Sequence, residues 1–171
     1  MLVDDVLEFS RVSRRSLTFD QVDMGVLVQG LIVMLELPAE VQLVLPQDWP
    51  VLEAEPTLLK QIFQNLIDNA VKYNASPQKI VELGWQPAGE EGYEFFVRDN
   101  GIGIAPGYHE RIFRVFERLH TRDEYEGTGA GLAIVKKAAE RLQGSVRVES
   151  EFGKGSTFFV TMPRTRKENI T

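Results

Sequence analysis

The sequence predicts an α/β sandwich, a mixed and mostly antiparallel sheet with helices on one face. Three observations lead there. Amphipathic helical stretches alternate with short strands, and the later strands come in pairs joined by turn-rich segments. The 171 residues, 43% hydrophobic and 26% charged, also have the composition of one ordinary globular domain. A domain of this size buries roughly two-thirds of the surface of its unfolded chain, so it can fold without a staple. There is no cysteine, which excludes disulfides, zinc-thiolate sites and a cysteine nucleophile. A net charge of −6 argues against broad nucleic-acid binding, which needs clustered Lys and Arg. No apolar run approaches the ~18 residues of a membrane span. Asp4, Asp5 and Glu8 stand where a signal peptide would be basic and then apolar, so a cytoplasmic chain without membrane contact is expected, from a parent either soluble or anchored.

Each element has its own signal. Residues 2 to 16 place Leu2, Val3, Val6, Leu7, Phe9 and Val12 largely on one side of a helix, with acids early and Arg14 and Arg15 late. Such a helix needs a partner. After an extended piece at residues 17 to 20, a second helix covers about 23 to 37 and stops at Pro38. Val41, Leu43 and Leu45 alternate with polar residues as a strand does, before a turn region from Pro46 to Pro50. Glu55-Pro56 opens the longest helix, which runs to about Asn74 and buries Leu58, Leu59, Ile62, Phe63, Leu66, Ile67, Ala70 and Val71. Strands at 79 to 86 and 92 to 99 flank a hairpin loop. Residues 100 to 130 lack a long period and read as a mobile connection with a short helical piece. A helix from 130 to 142 ends at Gly144, strands at 145 to 150 and 155 to 162 flank Gly153-Lys154-Gly155, and a basic tail at 164 to 171 is expected to be disordered.

Four segments carry candidate chemistry, each with a plain alternative. Gln61, Asn65, Asn69 and Lys72 form one polar stripe on the long helix. It is either a solvated face or a set of amides suited to a hard cation, since asparagine is a poor helix former. Asp99-Asn100-Gly101-Ile102-Gly103 follows a strand and is either a turn or a sharp bend beside a flat ligand, with Asp99 able to accept from an exocyclic amine. Gly127-Thr128-Gly129-Ala130-Gly131-Leu132 leads into a helix and is either a linker or an anion cradle of backbone N–H groups. It matches neither the P-loop pattern nor the strand-led dinucleotide loop. Gly153-Lys154-Gly155-Ser156-Thr157 taken alone is a hairpin turn.

Their order is more informative than any one of them. Gln61 to Tyr73 resembles the N box of sensor histidine kinases, and Asp99 to Ile104 resembles their G1 box. Glu110-Arg-Ile-Phe113-Arg-Val-Phe116-Glu-Arg118 resembles the F box, Gly127 to Lys136 the G2 box, and Gly153 to Phe158 the third glycine element. With five ordered motifs, the resemblance covers about residues 18 to 163, the span expected to be a catalytic ATP-binding domain. Residues 1 to 17 resemble the end of the second dimerisation helix that precedes it in these kinases. The resemblance implies a Bergerat-type ATP fold. In it Asn69 would ligate Mg²⁺ and Asn65 would support the site, with Lys72 near phosphate and Tyr73 beside the base. Asp99 would take the adenine amine, assisted by Thr157 through water, and Gly101 and Gly103 would shape that wall. Gly127, Gly129, Gly131 and Leu132 would wrap the triphosphate, Arg118 would be a lid cation, and Phe113 and Phe116 would anchor the lid or simply pack in the core.

What the sequence lacks matters as much. The phosphoacceptor box H-E-x-R-T-P of the family is absent. The two histidines, His109 and His120, lie in the F-box region and read as surface or lid residues. The resemblance therefore implies a transfer of the γ-phosphoryl group of ATP to a histidine on a dimerisation domain outside this sequence, for relay to a response-regulator aspartate. The expected partners are that domain, as a homodimer in the full protein, and a response regulator, while this chain alone should be a monomer or a weak associate. ATP-hydrolysing clamps of the gyrase and mismatch-repair type carry a Glu where Asn65 stands, and an amide is no general base. A nucleotide-binding scaffold or degenerate regulatory domain is the alternative from a different class. A serine kinase of the anti-sigma type shares the fold, but the helix at residues 2 to 12 argues against it. The stretch from Arg118 to Gly129 looks most like kinases attached to PAS or phytochrome-type sensors.

Overall fold

A computed structural model describes residues 2–14, 16–115, 117, 119, 125 and 127–166. Its elements follow in the order α1 (Leu2–Arg14), β1 (Asp20–Asp23), α2 (Met24–Leu35), β2 (Val41–Val44), β3 (Val51–Ala54), α3 (Pro56–Lys72), β4 (Lys79–Pro87) and β5 (Gly92–Asp99), then α4 (Gly131–Arg141), β6 (Ser145–Glu151) and β7 (Gly155–Pro163). Two 3-10 turns, Pro106–Tyr108 and Arg111–Phe113, lie between β5 and α4.

The long sheet has the order β2-β4-β5-β7-β6. Only β2 and β4 run parallel; the other pairs are antiparallel, so the sheet is mixed and mostly antiparallel as expected. The second sheet is a two-stranded ribbon of β1 and β3, with Val22 opposite Leu52. Residues 51–54 were not expected as a strand, because Val-Leu-Glu-Ala is too short to show a period. Tertiary contact makes it one: Glu53 N–H donates to Arg164 O at 2.9 Å, and Arg164 N–H to Glu91 O at 2.7 Å. These bonds also correct the reading of the tail. Residues 164–166 are tied to the ribbon, with Arg166 over the Phe19 ring at 4.9 Å, while 167–171 lie outside the described residues.

Helix ends are set by local chemistry. The Asp23 carboxylate accepts from Gly25 and Val26 N–H at 2.8 and 3.1 Å, capping α2. Glu55 does the same for α3 through Leu58 N–H at 2.7 Å, ahead of Pro56 in the first turn. Helices α3 and α4 pack on one sheet face. Leu58, Leu59, Ile62, Phe63, Leu66 and Ile67 are at most 1% exposed, and Phe63 meets Phe95 edge-on at 5.7 Å. The opposite face shields itself. Phe96 and Phe159 pair at 6.3 Å, with Arg98 over one ring and Arg147 over the other, and Arg98 and Arg147 also bond Glu82 and Glu94.

Helix α1 departs from its expected single apolar face. Phe9 and Val12 pack on the domain, Val12 at 2% exposure, whereas Val3, Val6 and Leu7 face outward at 69, 44 and 47%. It is a two-sided helix. The two sheet faces should differ in energy: Phe63→Ala should cost about 3–5 kcal/mol and Phe159→Ala less than half of that, read by chemical denaturation.

Candidate functional site

Between α3, α4 and the end of β5 lies a cavity of about 250 Å³. The polar stripe of α3 forms one wall, where Asn65, Asp68, Asn69, Lys72 and Tyr73 reach it in successive turns. Helical spacing explains this, since the same helix buries its opposite face in the core. Asn65 is oriented by its own helix, its amide donating to Gln61 O at 2.8 Å. Lys72 Nζ lies 4.5 Å from the Tyr73 ring centre and against Gly127, where a Cβ would stand 2.8 Å from it. Tyr73 also pairs with Tyr125 at 5.0 Å.

Asp99 ends β5 at the floor of this cavity. Its Oδ1 accepts from Gly101 N–H at 2.8 Å. Burial pushes its carboxyl up to about 6, although N–H donors of Gly101 and Ser156 work against the rise. Burial also raises Asp68, with Lys72 opposing. The turn after Asp99 is clamped to the end of α3. Ile102 N–H donates to Tyr73 O at 3.0 Å, and Asn74 Nδ2 donates to Asn100 Oδ1 at 2.8 Å. Glycine is required here. A Cβ on Gly101 would stand 2.3 Å from Tyr73 O, and one on Gly103, at φ +70°, would stand 2.0 Å from Glu151 O.

The third wall is the glycine loop before α4. Gly127, Thr128, Gly129, Gly131 and Leu132 all line the cavity. Gly131 approaches Asn65 so closely that a Cβ would lie 2.9 Å from its Oδ1. Most residues picked from sequence therefore meet in one place: Asn65, Asn69, Lys72, Tyr73, Asp99, Gly103, Gly127, Gly129, Gly131 and Leu132. Gly101 stands just behind the wall and holds Asp99. Arg118 and Phe116, along with His120, lie outside the described residues. His109 Nε2 donates to Ile104 O at 3.0 Å, bracing the loop beside the cavity. Phe113 meets Phe158 edge-on at 6.3 Å, so of its two readings packing is the one seen.

Thr157 needs correcting. Strand alternation turns it to the outer sheet face, where its hydroxyl accepts from Arg98 Nε at 3.3 Å. Ser156, one residue earlier, lines the cavity, and its hydroxyl bonds Ser150 at 2.8 Å. The period of β7 carried that signal, because Ser156 shares a face with buried Phe158 and Val160. Sequence reasoning also missed the apolar floor of Ile102, Ile104, Ile112, Ile134 and Phe158, and two carboxylates from α1, Asp5 and Glu8.

Chemically, the cavity offers a half-buried carboxylate acceptor over an apolar floor at one end. At the other it offers two amides, a lysine and a glycine-lined helix start. That pairing suits a flat base with an exocyclic amine joined to a polyanion. Among the described residues no group of three or more His, Asp or Glu side chains converges to hold a metal ion. The amides of Asn65 and Asn69 fit Mg²⁺ carried in by phosphates and waters, which needs few protein ligands.

The sequence profile of the family described as histidine kinase-, DNA gyrase B-, and HSP90-like ATPase matches residues 54–166. The cyanobacterial phytochrome A of Nostoc sp. is 43% identical over 95% of this chain and 21% of its own length. The methanogenesis regulatory histidine kinase FilI of Methanothrix harundinacea is 35% identical over 95% of this chain and 18% of its own. The chain thus spans about a fifth of the length of these relatives. Among solved structures, full-length ShkA in complex with AMPPNP superposes with a TM-score of 0.79 at 30% identity, covering 95% of this chain and 35% of that one.

Two outcomes are expected of this geometry. An isolated carboxyl ionises near 3.8 and Asp99 near 6, so the unfolded chain loses its proton first and stability falls as pH rises through that window. Asp99→Asn keeps an oxygen for Gly101 N–H; it removes a charge-burial cost of about 3 kcal/mol at neutral pH and gives up about 1 kcal/mol at Ser156 N–H, a net gain on the order of 2 kcal/mol. Calorimetric melting should show the ligand-free variant several degrees more stable at pH 7 and the difference vanishing near pH 4. Gly103→Ala should destabilise by about 2 kcal/mol or more, read by urea unfolding, because its φ and the Glu151 carbonyl both oppose a Cβ.

Proposed function

We propose that this chain, which belongs to the histidine kinase-, DNA gyrase B-, and HSP90-like ATPase family and to its histidine-kinase side, binds Mg-ATP and presents the γ-phosphoryl group to a histidine carried on a dimerisation domain. The observation that carries this reading is one cavity with two chemically different ends, Asp99 over an apolar floor and Asn65, Asn69 and Lys72 facing a glycine loop. Adenine fits the first end, where its exocyclic amine donates to the Asp99 carboxylate. The triphosphate fits the second, where Lys72 supplies positive charge and the start of α4 supplies N–H groups. Asn69 would hold Mg²⁺, with Asn65 beside it. The ion, when bound, neutralises charge on the transferring phosphoryl group.

The chain's own work is positioning. Phosphoryl transfer to an imidazole needs an aligned, neutralised donor and little covalent help from protein. The position at which a clamp ATPase carries its water-activating carboxylate holds Asn65, and an amide is no general base. The γ-phosphate should therefore survive in the closed site until an acceptor arrives. The acceptor helix is proposed to pack on the exposed side of α1, where Val3, Val6 and Leu7 form an apolar strip suited to a helix bundle. The phosphohistidine would then pass its group to an aspartate of a response regulator.

The test mixes this chain with a separate histidine-bearing dimerisation domain and γ-labelled ATP. Label should appear on the acceptor histidine only with magnesium, and ATP turnover without acceptor should stay at background. Asn69→Ala should lower transfer about 100-fold and abolish the magnesium dependence. Asp99→Asn should erase the preference for ATP over GTP, as read by competition. Fast acceptor-free hydrolysis, or retained base preference in Asp99→Asn, would remove the corresponding role.

A further inference from the structure

The charge of the cavity wall opposes its proposed occupant. Among the described residues, Asp5, Glu8, Asp68, Asp99 and Glu117 line it, against the lysine Lys72, and of these carboxylates Glu117 is paired with Arg111. A triphosphate entering this space meets carboxylates on several sides. Two of them, Asp5 and Glu8, do not belong to the domain core. They project from α1, whose apolar contact with the domain is made further along by Phe9 and Val12.

That attachment is specific. The Asp5 carboxylate accepts from the Thr128 hydroxyl, in the glycine loop itself. Glu8 Oε1 accepts from Gln61 Nε2 at 3.0 Å, and Gln61 O accepts from the Asn65 amide at 2.8 Å. Phe9 and Val12 supply the apolar contact, and Arg141 donates to Val12 O at the far end. Spacings of three and four bring positions 5, 8, 9 and 12 to one face of α1. The docked helix thus holds the two pieces that would handle phosphate, the loop through Thr128 and the Asn65 turn through Gln61.

We infer that docking of α1 and binding of the triphosphate oppose each other: Asp5 and Glu8 form a removable anionic wall, and a nucleotide polyphosphate displaces the helix that carries them. The inference rests on the nucleotide reading above. Phosphate brought beside Asp5 and Glu8 repels them and takes over the N–H and hydroxyl groups of the loop. Phe9 and Val12, with the Arg141 bond at the far end, then hold α1. In a longer chain that continues upstream of α1, nucleotide load would move the helix that leads to the acceptor domain.

The test uses the 171-residue chain, its Asp5→Asn/Glu8→Gln variant, and two ligands, ATP and uncharged adenosine. Calorimetric titration without magnesium should show the variant binding ATP about tenfold more tightly than the parent, and adenosine within twofold. Hydrogen exchange of the α1 amides in the parent should speed up with ATP and stay unchanged with adenosine, a readout that needs no variant. Equal or weaker ATP binding by the variant would overturn the inference, and so would ATP-induced protection of α1. If magnesium makes the loss of affinity in the variant appear, Asp5 and Glu8 are metal-side groups and the opposition is wrong. Adenosine and ATP both failing to bind either protein would instead bring down the nucleotide reading and the inference with it.

Discussion

The site depends on one constraint, the clamp between the end of α3 and the turn that follows β5. Ile102 N–H reaches Tyr73 O, and Asn100 joins Asn74, Ile80 N–H and Gln78 O through its single carboxamide. A helix end leaves carbonyls without partners, and a strand end leaves donors. Here each satisfies the other. The clamp fixes the distance between the amide wall on α3 and Asp99 on β5, so the two ends of the cavity are held in register before any ligand arrives. It also explains why the bend needs glycine, since Gly101 passes against the Tyr73 carbonyl with no room for a side chain.

Burial makes Asp99 useful and costly together. Its carboxyl, raised to about 6, is partly stripped of water and compensated by two N–H groups. A donor from a ligand restores what the fold removed, and a keto oxygen in the same place would not. Such a site selects by leaving the wrong partner unpaired. The other end is built differently. It relies on amides, one lysine and backbone donors, which bind polyanions without demanding one geometry, and the docked α1 opposes that end alone.

Much of this was legible in the sequence because the signals were local and repeated. Seventeen residues of α3 carry an apolar face and a polar stripe at the helical period, so both its core role and its site role could be read together. The glycine turns at 101–103 and 127–131 announced close approach. Three things were hidden. Ser156 was passed over for Thr157, although the alternation of β7 decides between them. The ribbon β1–β3 is too short to have a period and exists through contacts with residues far along the chain. Asp5 and Glu8 read as favourable early acids on a helix, and only the packing of Phe9 and Val12 turns them into the cavity.

The most direct measurement is a crystal structure of this chain with a non-hydrolysable ATP analogue and magnesium. The account predicts the exocyclic amine of the base within hydrogen-bond distance of Asp99, the phosphates against Lys72 and the Gly127 to Gly131 loop, and the 99–103 turn unmoved against Tyr73. A base bound away from Asp99, or a turn that leaves Tyr73 to admit the ligand, would contradict it.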